Sequence, residues 1–249
     1  ARQSLAARSC PFFRHGTLLF CVSFVDSDKK TGYNKSVMYA TILFDLDGTL
    51  TDPFQGITNA VLYALGKLGI CETDRQKLAA FIGPPLYSSF SEYYGMSTQE
   101  AVHAVAVFRE YYTDRGWREN HPYTGIAQAL KVLRGRGKKL YVATSKPETM
   151  ALKVLEHFAL LPLFEDVAGA TEDESRVEKA DVIAYCMQRF DIRREGTLMV
   201  GDRKHDVIGA KKNMLPCAGV LYGFGSREEL LAAGADLLVP TPAQLAELP

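Results

Sequence analysis

The 249 residues carry 29 basic and 29 acidic side chains, with 47% apolar and 23% charged content, which is the make-up of one ordinary globular domain or a core with a small insertion. The zero net charge argues against a nucleic-acid or acidic-membrane surface as the main partner. Five scattered cysteines (10, 21, 71, 186 and 217) without a CxxC spacing favour reduced thiols in a cytoplasm over a disulfide framework.

Residues 1–37 stand apart. They hold six Lys/Arg against two acids, leaving 23 basic and 27 acidic residues in the remainder. Their apolar run "TLLFCVSFV" follows a basic start, faintly like a signal peptide, but is too short to span a bilayer. We expect 1–37 to be a leader or non-native extension, partly disordered and dispensable for chemistry. Met38 directly precedes the first predicted strand, Tyr39 to Phe44 in "YATILFDLDGTLTD". Residues 54–121 then show helical patterning throughout. "GITNAVLYALGKLGI" places Ile57, Val61, Leu65 and Leu68 on one face and ends at Gly69. A short helix in "DRQKLAAFIGPPL" is halted by Gly83-Pro84-Pro85. Two more follow in "YSSFSEYYGM" and "STQEAVHAVAVFREYYTDRGW", the last with a Ser97/Glu100 capping box. Four helices inserted after one strand predict a separate small helical domain over 54–121, with the core formed by 38–53 and 122–249.

From residue 124 helix and strand alternate. Strands are predicted at 138–145, in "FEDVAGA", in "GTLMVGD", in "AGVLY" and in "DLLVP". Helices lie between them, two with capping-box spacing at Ser175/Glu178 and Ser226/Glu229, and one with Pro147 near its first turn. This alternation predicts an α/β fold with a doubly wound, mainly parallel sheet. Ligands bind such sheets beyond the carboxyl ends of the strands.

Three strands end in polar residues there: Asp45 and Asp47, then Thr144-Ser145-Lys146, then Asp202 with Asp206 four residues on. Side chains two apart on a strand point the same way, so Asp45 and Asp47 meet at its end. Such a pair is tolerable around a cation or a shared proton, and Gly48 permits the sharp exit. A solvated acidic turn is the plain alternative for the first group, and a helix N-cap for Thr144-Ser145. Their shared edge is what favours chemistry: oxygen-rich clusters suit Mg²⁺, and a metal, a lysine and backbone amides would stabilise a phosphoryl group in transfer.

These segments resemble the motifs of the haloacid dehalogenase superfamily of phosphohydrolases over residues 39–248. The resemblance implies a Rossmann-like core with an inserted helical cap, and a Mg²⁺-dependent phosphatase working through an aspartyl-phosphate. By it Asp45 is the nucleophile and Asp47 the acid/base, while Thr144, or Ser145 beside it, bonds the phosphate. Asp202 and Asp206 would hold the metal with Asp45 and the carbonyl of Asp47. Lys179 takes the phosphate-lysine role, with Arg176 assisting and Lys146 competing, and Gly48 and Ser145 complete the substrate side. "FIGPPL", "PYTGI", "VATSKP" and "GFGSREEL" are similar to phosphoglycolate phosphatases, and "ESRVEK" with the tail to bacterial 5′-nucleotidases. The expected partner is a small phosphorylated metabolite in the cytoplasm, not nucleic acid or membrane. Monomer and dimer both stay open. A phosphomutase and a non-catalytic phosphate-ester-binding protein remain alternatives. "GFGSRE" lacks the third glycine of a dinucleotide loop, His205 reads as solvent-facing, and Trp117 with tyrosines 93, 94, 111 and 112 as packing of the helical block.

Overall fold

A computed structural model describes residues 23–24, 38–173 and 175–249. The reading of 1–37 as a dispensable extension therefore lies outside the described residues, apart from two that form a short strand, β1 (Ser23–Phe24). The other strands are β2 (Thr41–Phe44), β3 (Thr51–Asp52), β4 (His121–Pro122), β5 (Lys139–Pro147), β6 (Asp166–Ala170), β7 (Thr197–Gly201), β8 (Cys217–Val220) and β9 (Leu237–Val239). The helices are α1 (Phe54–Lys67), α2 (Leu86–Tyr94), α3 (Thr98–Asp114), α4 (Ile126–Gly135), α5 (Glu148–His157), α6 (Lys179–Arg189), α7 (Lys204–Lys212) and α8 (Arg227–Ala233).

The main sheet runs β1-β9-β8-β7-β2-β5-β6. Six of its strands are parallel, and only β1 runs antiparallel, against β9. β2 lies in the middle, paired with β5 on one side and β7 on the other. The chain leaves this centre in both directions, which opens a crevice at the carboxyl ends of exactly these three strands. The apolar runs that predicted the strands are buried: Ile42, Leu43 and Phe44 of β2, and Leu198, Met199 and Val200 of β7, have no exposed surface. Buried on both faces, they show the continuous hydrophobicity of parallel strands.

Residues 54–118 form α1, α2, α3 and two 3₁₀ turns, Lys77–Phe81 and Gly116–Arg118. Their buried side chains make a cluster of their own, to which the rest of the chain contributes Met150 among the fully buried members. Ile57, Val61 and Leu65 are buried there, on the face their spacing marks. The segment before Gly83 is a 3₁₀ turn rather than a regular helix, since Pro84 and Pro85 bar its continuation. The two-stranded ladder β3–β4 joins this block to the sheet domain at both of its chain crossings.

Ser97 and Glu100 form a complete capping box. The Ser175/Glu178 box does not form. α6 begins only at Lys179 with Glu178 as its N-cap residue, because Ser175 is engaged in a turn, donating to Asp173 Oδ1 at 2.8 Å. Ser226 caps α8 by accepting from the Glu229 N–H, but the Glu229 carboxylate goes to Arg203 instead of closing the box. β5 extends two residues beyond its predicted end, as Pro147 pairs with Ala170 past an irregularity. Cys71, Cys186 and Cys217 are free thiols. No helix among the described residues is long and apolar enough to cross a membrane.

Candidate active site

The end of β2 is fixed from both sides. The Asp45 N–H continues the ladder to the Val200 carbonyl at 2.9 Å, and the chain then turns tightly, with Gly48 N–H on the Thr51 carbonyl at 2.7 Å and the Leu50 and Thr51 N–H groups on the Leu46 carbonyl. Gly48 has φ +85°, and a Cβ there would fall 2.3 Å from Asp202 Oδ2. Glycine is needed at this position for conformation and for room alike. The turn brings strand-end acids from β2 and β7 into contact range.

Oxygens of Asp45, Asp202 and Asp206 lie within 4.8 Å of one another, all three residues buried. Lys179 faces them: its Nζ is 2.7 Å from Asp45 Oδ1 and 2.9 Å from Asp206 Oδ1. Beyond this one ammonium, neither oxygen has a hydrogen-bond partner. One ammonium thus stands against three buried carboxylates. Burial drives the Asp202 carboxyl well above its ordinary value, with Asp206 and Asp45 adding repulsion. Asp206 is raised by burial too, against the pull of Lys179. Three buried carboxylates within reach of one another, with one ammonium among them, leave an excess of negative charge that fits a hard divalent cation and has no feature of a softer metal's site.

Asp202 is further braced by a loop that sequence reading set aside. The Phe224 N–H donates to Asp202 Oδ2 at 2.8 Å, and a Cβ on Gly223 would fall 2.4 Å from the Asp202 Cβ, one on Gly225 2.0 Å from its carbonyl. "GFG" is therefore a cradle for a carboxylate. The Thr49 hydroxyl reaches Asp202 Oδ1 at 3.5 Å.

Asp47 belongs to a second cluster. Lys146, at the end of β5, donates to Asp47 Oδ2 at 2.5 Å and to the Tyr112 hydroxyl at 2.6 Å. Asp47 Oδ1 is buried with no hydrogen-bond partner. Burial raises the Asp47 carboxyl and Lys146 only partly draws it back. For both lysines burial is the strongest single influence and acts downward, yet their partners outweigh it: Asp47 and Tyr112 at Lys146, Asp206 and Asp45 at Lys179. Both ammoniums are held above their ordinary value.

The acids and both lysines named from sequence are thus brought together, and the two lysines hold different partners rather than competing for one place. Thr144 is buried beside them, its Oγ1 accepting from the Lys146 N–H at 3.2 Å, and Ser145 also lines the cleft. Arg176 is not brought in. Its Nε donates to the Gly169 carbonyl at 3.2 Å and its guanidinium lies 3.5 Å from the Tyr185 ring centre, because the turn before α6 points it along the sheet edge. His205 is half-buried rather than solvent-facing. Tyr112 packs within the helical block as its sequence suggests, and its hydroxyl in addition reaches Lys146, a contact that no local pattern separates from the case of Tyr111 next to it.

A cavity of about 130 Å³ joins the two clusters to the helical block. Its floor includes Asp45, Asp47 and Thr144, and its far wall Phe81, Phe108 and Gly83-Pro84-Pro85-Leu86. Arg203, next to Asp202, donates from Nη1 to the Ile82 carbonyl at 2.7 Å and so ties this wall to the metal-type cluster.

The sequence profile of haloacid dehalogenase-like hydrolases matches residues 42–220. A 5′-nucleotidase of Pseudomonas aeruginosa is 45% identical over 197 residues, 79% of this chain and 89% of that protein. The tyrosine-protein kinase PtkA of Mycobacterium tuberculosis is 36% identical over 207 residues, 83% of this chain and 70% of its own. Among solved structures, a predicted phosphatase of Clostridium acetobutylicum superposes with a TM-score of 0.82 at 45% identity, covering 84% of this chain and 97% of the other.

Proposed function

This chain belongs to the haloacid dehalogenase-like hydrolase family and is a phosphatase of it, and from that premise we propose that it hydrolyses a small phosphate monoester through a covalent phosphate on Asp45. The observation that carries this reading is the split of the site's charges. One acid, Asp45, shares the Lys179 ammonium with Asp206 and lies close to Asp202, whereas Asp47, whose carboxyl burial raises, sits apart from that cluster on the Lys146 ammonium, which it shares with the Tyr112 hydroxyl. An ionised nucleophile and a proton-carrying partner need such different surroundings.

In the first step an Asp45 carboxylate oxygen attacks phosphorus and the ester P–O bond breaks. The proton held by Asp47 passes to the leaving oxygen, and the alcohol departs. In the second, water attacks the phosphorus of the aspartyl-phosphate and gives a proton to Asp47. The P–O bond to Asp45 breaks, releasing inorganic phosphate and restoring the carboxylate. Lys179 balances charge on the transferring group, and Thr144 or Ser145 supplies a hydroxyl to its oxygens. Asp45, Asp202, Asp206 and the main-chain carbonyl of Asp47 are the residues we assign to a bound Mg²⁺, which supplies charge neutralisation for the phosphate dianion.

Residues 54–121 act as a cap on a core made of 38–53 and 122–249, closing over the ester and excluding bulk water. The substrate class is that of phosphoglycolate or a nucleoside 5′-monophosphate. The first draws support from the "FIGPPL" and "PYTGI" segments and from a cavity of about 130 Å³, small beside the roughly 300–1,000 Å³ of sites for larger ligands. The second draws on the 45% identity to a 5′-nucleotidase, and needs the cap displaced to admit a base. Such a substrate fits a cytoplasmic enzyme without nucleic-acid or membrane partners.

The test is phosphate release from nucleoside monophosphates, phosphoglycolate, sugar phosphates, phosphotyrosine and pyrophosphate, with Mg²⁺ and with chelator, using Asp45→Asn as blank. A metal-dependent rate concentrated on one class, absent in the blank, is the expected result. Isomerised sugar phosphate without free phosphate would point to a mutase, and no turnover of any kind to a binding protein. Labelled ATP with a tyrosine-containing peptide adds the activity named for the mycobacterial relative.

A further inference from the structure

The Lys146–Asp47 pair is completed by a residue that comes from the other side of the cleft. Asp47 and Lys146 belong to the ends of β2 and β5, whereas Tyr112 belongs to α3 of the helical block. Its hydroxyl accepts from Lys146 Nζ at 2.6 Å while the same nitrogen donates to Asp47 Oδ2 at 2.5 Å. The tyrosine itself is held firmly. Its ring stacks on Phe108 with centroids 5.3 Å apart and planes 14° from parallel, and a Cβ on Gly116 would meet its Cδ2 at 2.9 Å. Tyr112 and Lys146 are both buried, 6% and 8% exposed.

A lysine ammonium ends four rotatable bonds and has three donors to place. The cavity that Lys146 lines with Asp47 and Asp45 would, in the proposed reaction, also hold the phosphoryl oxygens, which are further acceptors for it. A second fixed acceptor on a rigid ring removes that freedom and leaves Asp47 Oδ1 as the acid's one oxygen without a partner. We propose that Tyr112 is a positioning residue for the acid–base step, holding Lys146 on Asp47 Oδ2 so that the proton exchanged with the leaving oxygen is carried at Oδ1. This rests on the phosphatase reading and adds to it a contact by which the helical block, once seated, orders the core's proton carrier. Tyr112 acts through Lys146 and takes no proton itself.

The effect to look for is selective. Only leaving groups that need a proton feel a misplaced acid. Tyr112→Phe keeps the ring, its stack on Phe108 and its packing against Gly116, and removes one hydrogen bond from a charged donor. With Mg²⁺ present, kcat/KM is measured over a series of aryl phosphates of equal shape and rising leaving-group acidity, from phenyl to p-nitrophenyl phosphate. The expected result is a loss of about tenfold on phenyl phosphate and about twofold on p-nitrophenyl phosphate. A steeper dependence on leaving-group acidity than in the wild type goes with it. In a Lys146→Met background the further change Tyr112→Phe should alter neither rate by more than about twofold, as coupled residues require. A wild type active on both esters whose variant loses equally on both, or not at all, overturns the inference alone. So does a Tyr112→Phe effect that persists without Lys146. A wild type that releases no phosphate from either ester or from any member of the panel overturns the phosphatase reading, and this inference with it; for a wild type active on the panel alone, Tyr112→Phe is compared on that substrate, where an unchanged kcat overturns the inference alone.

Discussion

Two lysines meet three acids at the mouth of one crevice, and they are held in opposite ways. Lys179 lies among Asp45 and Asp206, and every group in that cluster comes from the sheet domain. Lys146 is shared between Asp47 of the sheet domain and Tyr112 of the helical block. The first cluster is complete wherever the helical block stands, and the second only when the block is seated. The ammonium facing Asp45 is thus held within the sheet edge, while the one paired with Asp47 also bridges to a second region with a core of its own. In the mechanism we propose, a cleft that admits substrate and then excludes water would gain from this division, because the acid would be ordered last.

The comparison can be broken most decisively at Asp45. Asp45→Asn should lower phosphate release by about 10⁴-fold or more while leaving the circular dichroism spectrum unchanged. An active variant whose mass shows the asparagine intact would falsify the covalent route. Next come the lysines themselves, compared by denaturant unfolding in chelator. Lys179→Met leaves Asp45 and Asp206 buried without their counter-charge, and should lose about 3–5 kcal/mol of stability. Lys146→Met strands one carboxylate, Asp47, where Lys179→Met strands two, so its loss should be smaller by at least about 1 kcal/mol. Equal losses would erase the distinction between the clusters.

The metal-type cluster predicts a thermal effect of intermediate size. Mg²⁺ at a hundred times its dissociation constant should stabilise the protein by about 2.7 kcal/mol, read as a rise in melting temperature, and Asp202→Asn should abolish the rise. A variant that keeps it would mean the ion binds elsewhere. The smallest effect concerns another tie between the regions, Arg203 on the Ile82 carbonyl. Arg203→Ala frees the Gly83-Pro84-Pro85 wall and should lower kcat/KM by about five- to tenfold, mainly through KM. A pure kcat effect would show that Arg203 serves the carboxylates instead.

Much of this was legible along the chain because it is encoded locally. The Asp45–Asp47 spacing marks the end of a strand at one cleft, although β2 stops at Phe44 and the turn that follows sends the two acids to different lysines instead of to each other. Ile57, Val61 and Leu65 mark a buried helical face, and alternation of helix and strand after residue 124 implies a parallel sheet. Sheet parallelism in turn puts Asp45, Thr144, Lys146 and Asp202 on one edge without any knowledge of contacts. Where local signals misled, another partner had taken the group: Glu229 turned from its capping box to Arg203, 26 residues away, and Ser175 closed a competing turn onto Asp173, two residues before it. The allotment of the two lysines was also beyond sequence, since either reaches the edge and only packing decides which acid each meets. The same holds for Tyr112 on Lys146 and the "GFG" loop around Asp202. Residue spacing determines which way a side chain leaves its own strand or helix. What it meets there is decided by chain segments up to 150 residues away, docked through cores whose partners no local pattern names.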